Sequence, residues 1–177
     1  MVTEPKRIAM IVHNYFEQVE MTDVRELLQD ADFVVDLIAP DIGEVQGLNH
    51  VDKGDVFEVD RALNDIVATE YDAVVLPGGV VNADHLRVVP KVRDFVRQMD
   101  DGGKIVAAIC HAPWVLISAG LAEGRTLTSY ATLQDDVRNA GATWLDQSVV
   151  IDDNIISSRD PDDIPVFAEA IISSLET

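Results

Sequence analysis

Hydrophobic residues along this chain follow two rhythms, and the alternation between them predicts the fold. Short, almost uninterrupted apolar runs come first in each cycle: "KRIAMIVH" (Lys6 to His13), "DFVVDLIAP", "YDAVVLPGG" and "KIVAAI". Runs of this length, bounded by turn residues and apolar at consecutive positions, read as strands buried on both faces. Between them the apolar positions spread to a helical spacing. Val24, Leu27, Leu28 and Ala31 follow Glu20 in this way, and Val92, Phe95, Val96 and Met99 precede a "DGG" stop. A third such stretch follows Cys110 and runs to Ala119, where Gly120 ends it. Residues 43–60 break the rhythm with Gly and Asp between short alternating pieces, which predicts a small hairpin excursion.

The last third gives "RTLTSY", a helix around "LQDDVRNAG", a short strand "ATWL" and a hairpin-like "SVVIDDNIISS". A closing helix follows, with Ile164, Phe167, Ala168, Ile171 and Leu175 on one face. Strands alternating with helices imply a mostly parallel sheet covered on both sides, as one α/β domain over residues 1–177. In open sheets of this kind, sites collect beyond the carboxyl ends of the strands. Three segments end strands there: "HNYFEQ", "PGG" and "CHAP". A parallel sheet brings all three to one rim.

The third of these holds the lone cysteine. Cys110 lies where a buried strand passes directly into a helix, with Ala108 and Ala112 leaving room for a sharp turn. That layout is a nucleophile elbow, which holds a reactive side chain in a sparsely populated backbone conformation and points it off the sheet. A helix N-terminus just beyond favours thiolate, so the expected cysteine pKa is ~5–6 against an ordinary ~8.5. A free cysteine is more often a small core residue; the rim position favours the reactive reading. Backbone N–H groups of Gly78, Gly79 and His111 are candidate oxyanion donors, since glycine permits close approach of backbone to ligand. Glu17, just past the first strand, is a candidate proton carrier with a raised pKa if desolvated beside the sulfur. His111 is adjacent to the cysteine, although neighbouring side chains on a helix do not face each other.

Charge narrows the partners. The 177 residues include 32 acidic and 13 basic side chains, a net charge of −19, which repels nucleic-acid phosphates and anionic headgroups. The acid is dispersed, as in an ordinary acidic protein or in one adapted to a cytoplasm of high ionic strength. One cysteine excludes an internal disulfide and argues against a thiolate metal cluster. The four histidines, His13, His50, His85 and His111, lack ligand spacing, so neither a metal nor a cofactor is expected. The N-terminus has no signal-peptide pattern and no run reaches the ~20 apolar residues of a membrane span, so a cytoplasmic location is expected.

Taken in order, "FEQVEMTDVRELLQDA", "YDAVVLPGG", "ADHLR", "IVAAICHAPWVLISAGLAEGRTLTSY", "DDVRNAGATWLDQ" and "SSRDPDDIPVF" resemble the ThiJ/PfpI family. This is the intracellular protease-like branch of the class I glutamine amidotransferase-like superfamily, which also contains the parkinsonism-associated deglycase. The resemblance spans nearly the whole chain. It implies a flavodoxin-like three-layer sandwich and Cys110 as nucleophile. It places Glu17 at the family's carboxyl that hydrogen-bonds the sulfur, and His111 at the histidine paired with the cysteine. Asp84 matches the acidic residue that a neighbouring subunit contributes, here one methylene shorter than the Glu of some members. Tyr130, Arg159 and His13 are expected near the cleft, and Ala112 stands where the family usually has Gly. The resemblance also implies a homo-oligomer, dimer or hexamer.

Three activities share such a site: a cysteine hydrolase of peptides or glycated proteins, a cofactor-free glyoxalase acting on small 2-oxoaldehydes, and a glutamine amidotransferase. The last needs a His-x-Glu late in the chain, and no histidine follows His111, so it is rejected. A redox-sensing stress protein or chaperone is the non-enzymatic alternative, because a low-pKa cysteine beside a protonated Glu oxidises to a stabilised sulfinic acid.

Overall fold

The computed structural model describes residues 4–177, and its centre is a seven-stranded sheet. In chain order the strands are β1 (Arg7–Ile11), β2 (Val34–Ala39), β3 (Arg61–Ala62), β4 (Ala73–Leu76), β5 (Ile105–Ile109), β6 (Val149–Asp152) and β7 (Ile155–Ser158). Across the sheet they run β6-β7-β5-β4-β1-β2-β3. All neighbours pair in parallel except β6 and β7, the hairpin at one edge. Six helices cover it: α1 (Gln18–Asp30), α2 (Val80–Leu86), α3 (Pro90–Asp101), α4 (Pro113–Ser118), α5 (Gln134–Asn139) and α6 (Ile164–Glu176).

The period-two pleat explains why the central strands are apolar throughout. Ile8 and Met10 of β1 pack with Met21, Val24 and Leu28 of α1 and with Phe167 and Ile171 of α6. Their neighbours Ala9 and Ile11 face the other way, into a second core with Val92, Phe95 and Val96 of α3 and Leu116 of α4. Two cores, one on each face, make the three-layer sandwich that the alternation implied. α3 and α4 each begin with a proline, whose fixed φ suits a first helical turn and whose missing N–H is not needed there.

The 43–60 excursion is a hairpin of Glu44–Asn49 against Asp52–Glu58, with a bulge between Gln46 and Leu48. It is tied back to the rim of the sheet. Phe16–Glu17 pairs in parallel with Gly47–Leu48, and the Tyr15 N–H donates to the Gln46 carbonyl at 2.7 Å. The hairpin tip therefore hangs over the carboxyl end of β1. The edge strand β3, of two residues, and helix α2, of seven, are too short to establish a period, so the pattern predicts neither.

Candidate functional site

The three strand ends do meet. Glu17 N–H donates to the Gly78 carbonyl at 3.2 Å, which locks the first segment to the second. β5 ends at Cys110 because that residue adopts φ 64°, a left-handed conformation unfavourable for a side chain with a Cβ. The strand's pairing with β7 carries through the junction, where Cys110 N–H donates to the Ser158 carbonyl at 3.1 Å. Gly78 is a necessity of packing: a Cβ there would stand 2.4 Å from Glu20 Oε2 and 2.7 Å from Cys110 Cβ. Gly79, at φ 92°, would drive a Cβ to 2.6 Å from the Glu17 nitrogen.

A cavity of about 930 Å³ opens over this junction. Cys110, Glu20 and His111 lie at its buried end. Tyr15, Val80, Val81 and Tyr130 make apolar walls, and Leu48, His50 and Val51 enter from the hairpin.

The carboxyl that reaches the sulfur is Glu20, not Glu17. Glu20 is fully buried, and its Oε2 accepts the Gly78 N–H at 2.7 Å. Burial pushes its carboxyl up to about 8, with the charge of Glu17 acting in the same direction, so Glu20 holds its proton at neutral pH. α1 opens at Gln18, and one turn past Glu17 the chain faces inward. There was a signal for this. Glu20 shares a helix face with Val24 and Leu28, which puts a carboxyl on an otherwise buried stripe. Glu17 instead lines the cavity wall, its carboxylate accepting the His50 N–H at 3.2 and 3.3 Å.

His111 does reach the cysteine, with Nδ1 at 3.1 Å from Sγ. The helical rule that separates adjacent side chains does not apply, because Cys110 is not helical. The imidazole is buried, which lowers its pKa and leaves it neutral. Its ring stacks on Tyr130 at 4.8 Å and meets Trp114 edge-on. In the tautomer that carries its proton on Nε2, the ring offers Nδ1 as an acceptor for the thiol proton.

The thiol itself departs from expectation. Burial pushes Cys110 up, a charged Glu20 would push it further, and the N–H groups of Gly79 and His111 act the other way. The expected pKa of ~5–6 assumed an open sulfur at the start of a substantial helix. Instead the sulfur is buried, and α4 has six residues and begins three positions later. Of the three expected oxyanion donors, the N–H groups of Gly79 and His111 lie near enough to the sulfur to draw its pKa down. Gly78 does not qualify, since its N–H is held by Glu20.

The remaining candidates lie away from the sulfur. Asp84 is exposed on α2 and does not line the cavity. Arg159 also stays out of the lining, held by Asp163 at 2.7 Å and Asp146 at 3.0 Å. His13 sits outside it too. Its Nδ1 is 3.2 Å from that of His85, and its backbone N–H donates to Asn82. Tyr130 lines the cavity, its N–H donating to the Cys110 carbonyl at 2.8 Å. Among the described residues no cluster of three or more His, Cys, Asp or Glu is arranged to hold a metal, and no helix is long and apolar enough to cross a membrane.

Comparison with known proteins identifies relatives along nearly the whole chain. The DJ-1/PfpI family matches residues 6–174. The chain is 38% identical over 165 residues to protein/nucleic acid deglycase 2 of Escherichia coli (strain K12), covering 92% of this chain and 93% of that protein. It is 35% identical over 170 residues to deglycase PfpI of Pyrococcus furiosus, covering 96% and 99%. Among solved structures it resembles Drosophila melanogaster DJ-1beta, with a TM-score of 0.88 at 30% identity over 97% of this chain and 90% of the other.

Proposed function

Because the chain belongs to the DJ-1/PfpI family, we propose that it is a cysteine-dependent deglycase, a hydrolase that removes 2-oxoaldehyde adducts from amines and thiols. One observation carries the reading: a strained Cys110 whose sulfur lies between the protonated carboxyl of Glu20 and the neutral Nδ1 of His111 at the end of an enclosed cavity. Nucleophile, acid and base are thus within reach of one another before substrate arrives.

The chemistry runs as follows. His111 takes the thiol proton as Sγ attacks the carbinol carbon of the adduct. The carbon–nitrogen bond breaks, and the amine leaves with the proton of Glu20. The resulting hemithioacetal loses its C–H proton to the Glu20 carboxylate, passes through an enediol, and regains the proton at the neighbouring carbon. This yields a thioester of a 2-hydroxy acid. Water cleaves that thioester and the thiol recovers its proton, so adduct plus water gives amine plus hydroxy acid. The N–H groups of Gly79 and His111, both close to the sulfur, support this reading as donors to the developing oxyanion.

The test is release of free amine and lactate from methylglyoxal-treated N-acetylarginine amide, compared with hydrolysis of peptides and with methylglyoxal alone. The wild type is expected to release both products, and Cys110→Ser and Glu20→Gln to lose at least about a hundredfold in rate. Undiminished release by Cys110→Ser overturns the proposal. Conversion of free methylglyoxal without adduct cleavage would make the protein a glyoxalase, and peptide cleavage alone would make it a peptidase. The same proposal includes a homo-oligomer in which the partner subunit's Asp84 approaches His111.

A further inference from the structure

The cavity that holds Cys110 has a one-sided mouth. Glu17, Asp160 and Asp162 line it, and no lysine or arginine does. The nearest guanidinium in sequence, Arg159, is turned away and neutralised by Asp163 and Asp146. Glu17 is nearly enclosed, with 12% of its side chain exposed, yet its carboxylate meets only the long N–H contacts from His50 and that residue's mostly exposed ring at 4.0 Å. The Asp160 carboxylate accepts one backbone N–H, from Asp162 at 3.0 Å. Deeper in, Glu20 Oε1 is fully buried with no nitrogen or oxygen partner. Beside the sulfur, that oxygen has no N–H or O–H donor, so a ligand atom entering the cavity can complete its hydrogen bonding.

We propose that Glu17 and Asp160 make this cavity select substrates by charge, admitting carbonyl adducts that carry a positive charge and rejecting anionic ones. The favoured class is an adduct on a group flanked by a lysine or arginine side chain. Keto acids and phosphorylated carbonyls are disfavoured. A low-dielectric cleft lined by one sign of charge focuses that potential and raises the local concentration of the opposite ion. The apolar walls of Val80, Val81 and Tyr130 fit the methylene stem of such a side chain, while its charged end stays at the mouth. The biological substrate class rests on the deglycase reading; the charge selection itself does not.

Cys110 is the chain's only cysteine, so its labelling rate reports the cavity directly, without turnover. The experiment compares a cationic methanethiosulfonate bearing a trimethylammonium group with an anionic one bearing a sulfonate. In both, the thiolate attacks the thiosulfonate sulfur, a disulfide forms and methanesulfinate leaves. Relative to a small free thiol, the wild-type cation-to-anion rate ratio is expected to be raised by about tenfold or more, and to shrink as salt is added. Glu17→Gln and Asp160→Asn should each lower it by about threefold. Asp101→Asn changes the net charge equally but is the last residue of α3, which leads into the end of β5 opposite Cys110, and should leave the ratio within about twofold.

A wild-type ratio equal to that of the free thiol overturns the proposal. So does a fall in Asp101→Asn as large as in the two mouth variants, because the effect would then belong to the whole molecule. Turnover of methylglyoxal hemithioacetals of 2-dimethylaminoethanethiol and of 3-mercaptopropionate separates the two claims. Turnover of both at equal efficiency overturns charge selection and leaves the deglycase reading standing. Turnover of neither, with the labelling preference intact, refutes the deglycase and supports the selecting cavity.

Discussion

Replacing Glu20 with glutamine tests the acid at the centre of the site through stability alone. In the folded protein the carboxyl is pushed from an ordinary 4.5 up to about 8 by burial, whereas in the unfolded chain it is an ordinary glutamic acid. Between these values the native state keeps a proton that the unfolded state has released. Raising the pH therefore favours unfolding, by up to about 1.4 kcal/mol per pH unit and about 5 kcal/mol across the window. That is a large share of the 5–15 kcal/mol that holds a typical domain together. A glutamine mimics the protonated form: its oxygen accepts the Gly78 N–H, its amide donates towards the sulfur, and it does not titrate. Urea midpoints measured from pH 5 to pH 8.5 on both proteins cancel the contributions of the histidines they share. The two are expected to unfold at similar urea concentrations at pH 5. By pH 8.5 the wild type should fall behind the Glu20→Gln variant by on the order of 2 M, for a urea dependence of about 2 kcal/mol per M. Midpoint curves that stay parallel across the range would refute the argument, since a carboxyl already ionised at pH 5 gives no differential slope.

Three further outcomes follow from the same geometry. Gly78→Ala forces a Cβ against Glu20 and Cys110 at 2.4 and 2.7 Å, so thermal denaturation should show a loss of about 2 kcal/mol or more. Deglycation should decline as the pH rises through about 8, where Glu20 loses the proton it gives to the leaving amine; a rate that climbs steadily to pH 9.5 would remove Glu20 from that step. His111→Asn removes the acceptor 3.1 Å from the sulfur and should slow iodoacetamide labelling of Cys110 at pH 7 by about tenfold or more, with mass spectrometry of the intact chain as the readout.

The architecture was readable from sequence because the strands are buried on both faces and so write unbroken apolar runs, while α1, α3 and α6 write a 3.6-residue spacing. β3 and α2 escaped because a two-residue edge strand and a seven-residue helix are too short to establish a period. The cysteine's turn was legible from the strand that reaches it without a loop. Its protonation was not, since that depends on how deeply the sulfur is enclosed by elements distant in the chain. Glu17 and Glu20 show the same divide. Both follow the first strand, and proximity in sequence favoured the former, but helical phase puts Glu20 on the core side with Val24 and Leu28. Gly78 likewise offered an N–H by its position, and only the fold shows that Glu20 takes it.

The hairpin of residues 44–58 has a consequence of its own. It is spliced between two neighbouring strands of the main sheet and contributes Leu48, His50 and Val51 to the cavity, yet none of its residues belongs to the Cys110–Glu20–His111 trio. Lengthening, shortening or exchanging the four residues at its tip would therefore reshape what fits above the sulfur while leaving the reactive groups in register, so this ribbon is the natural handle for redirecting the protein to new molecules.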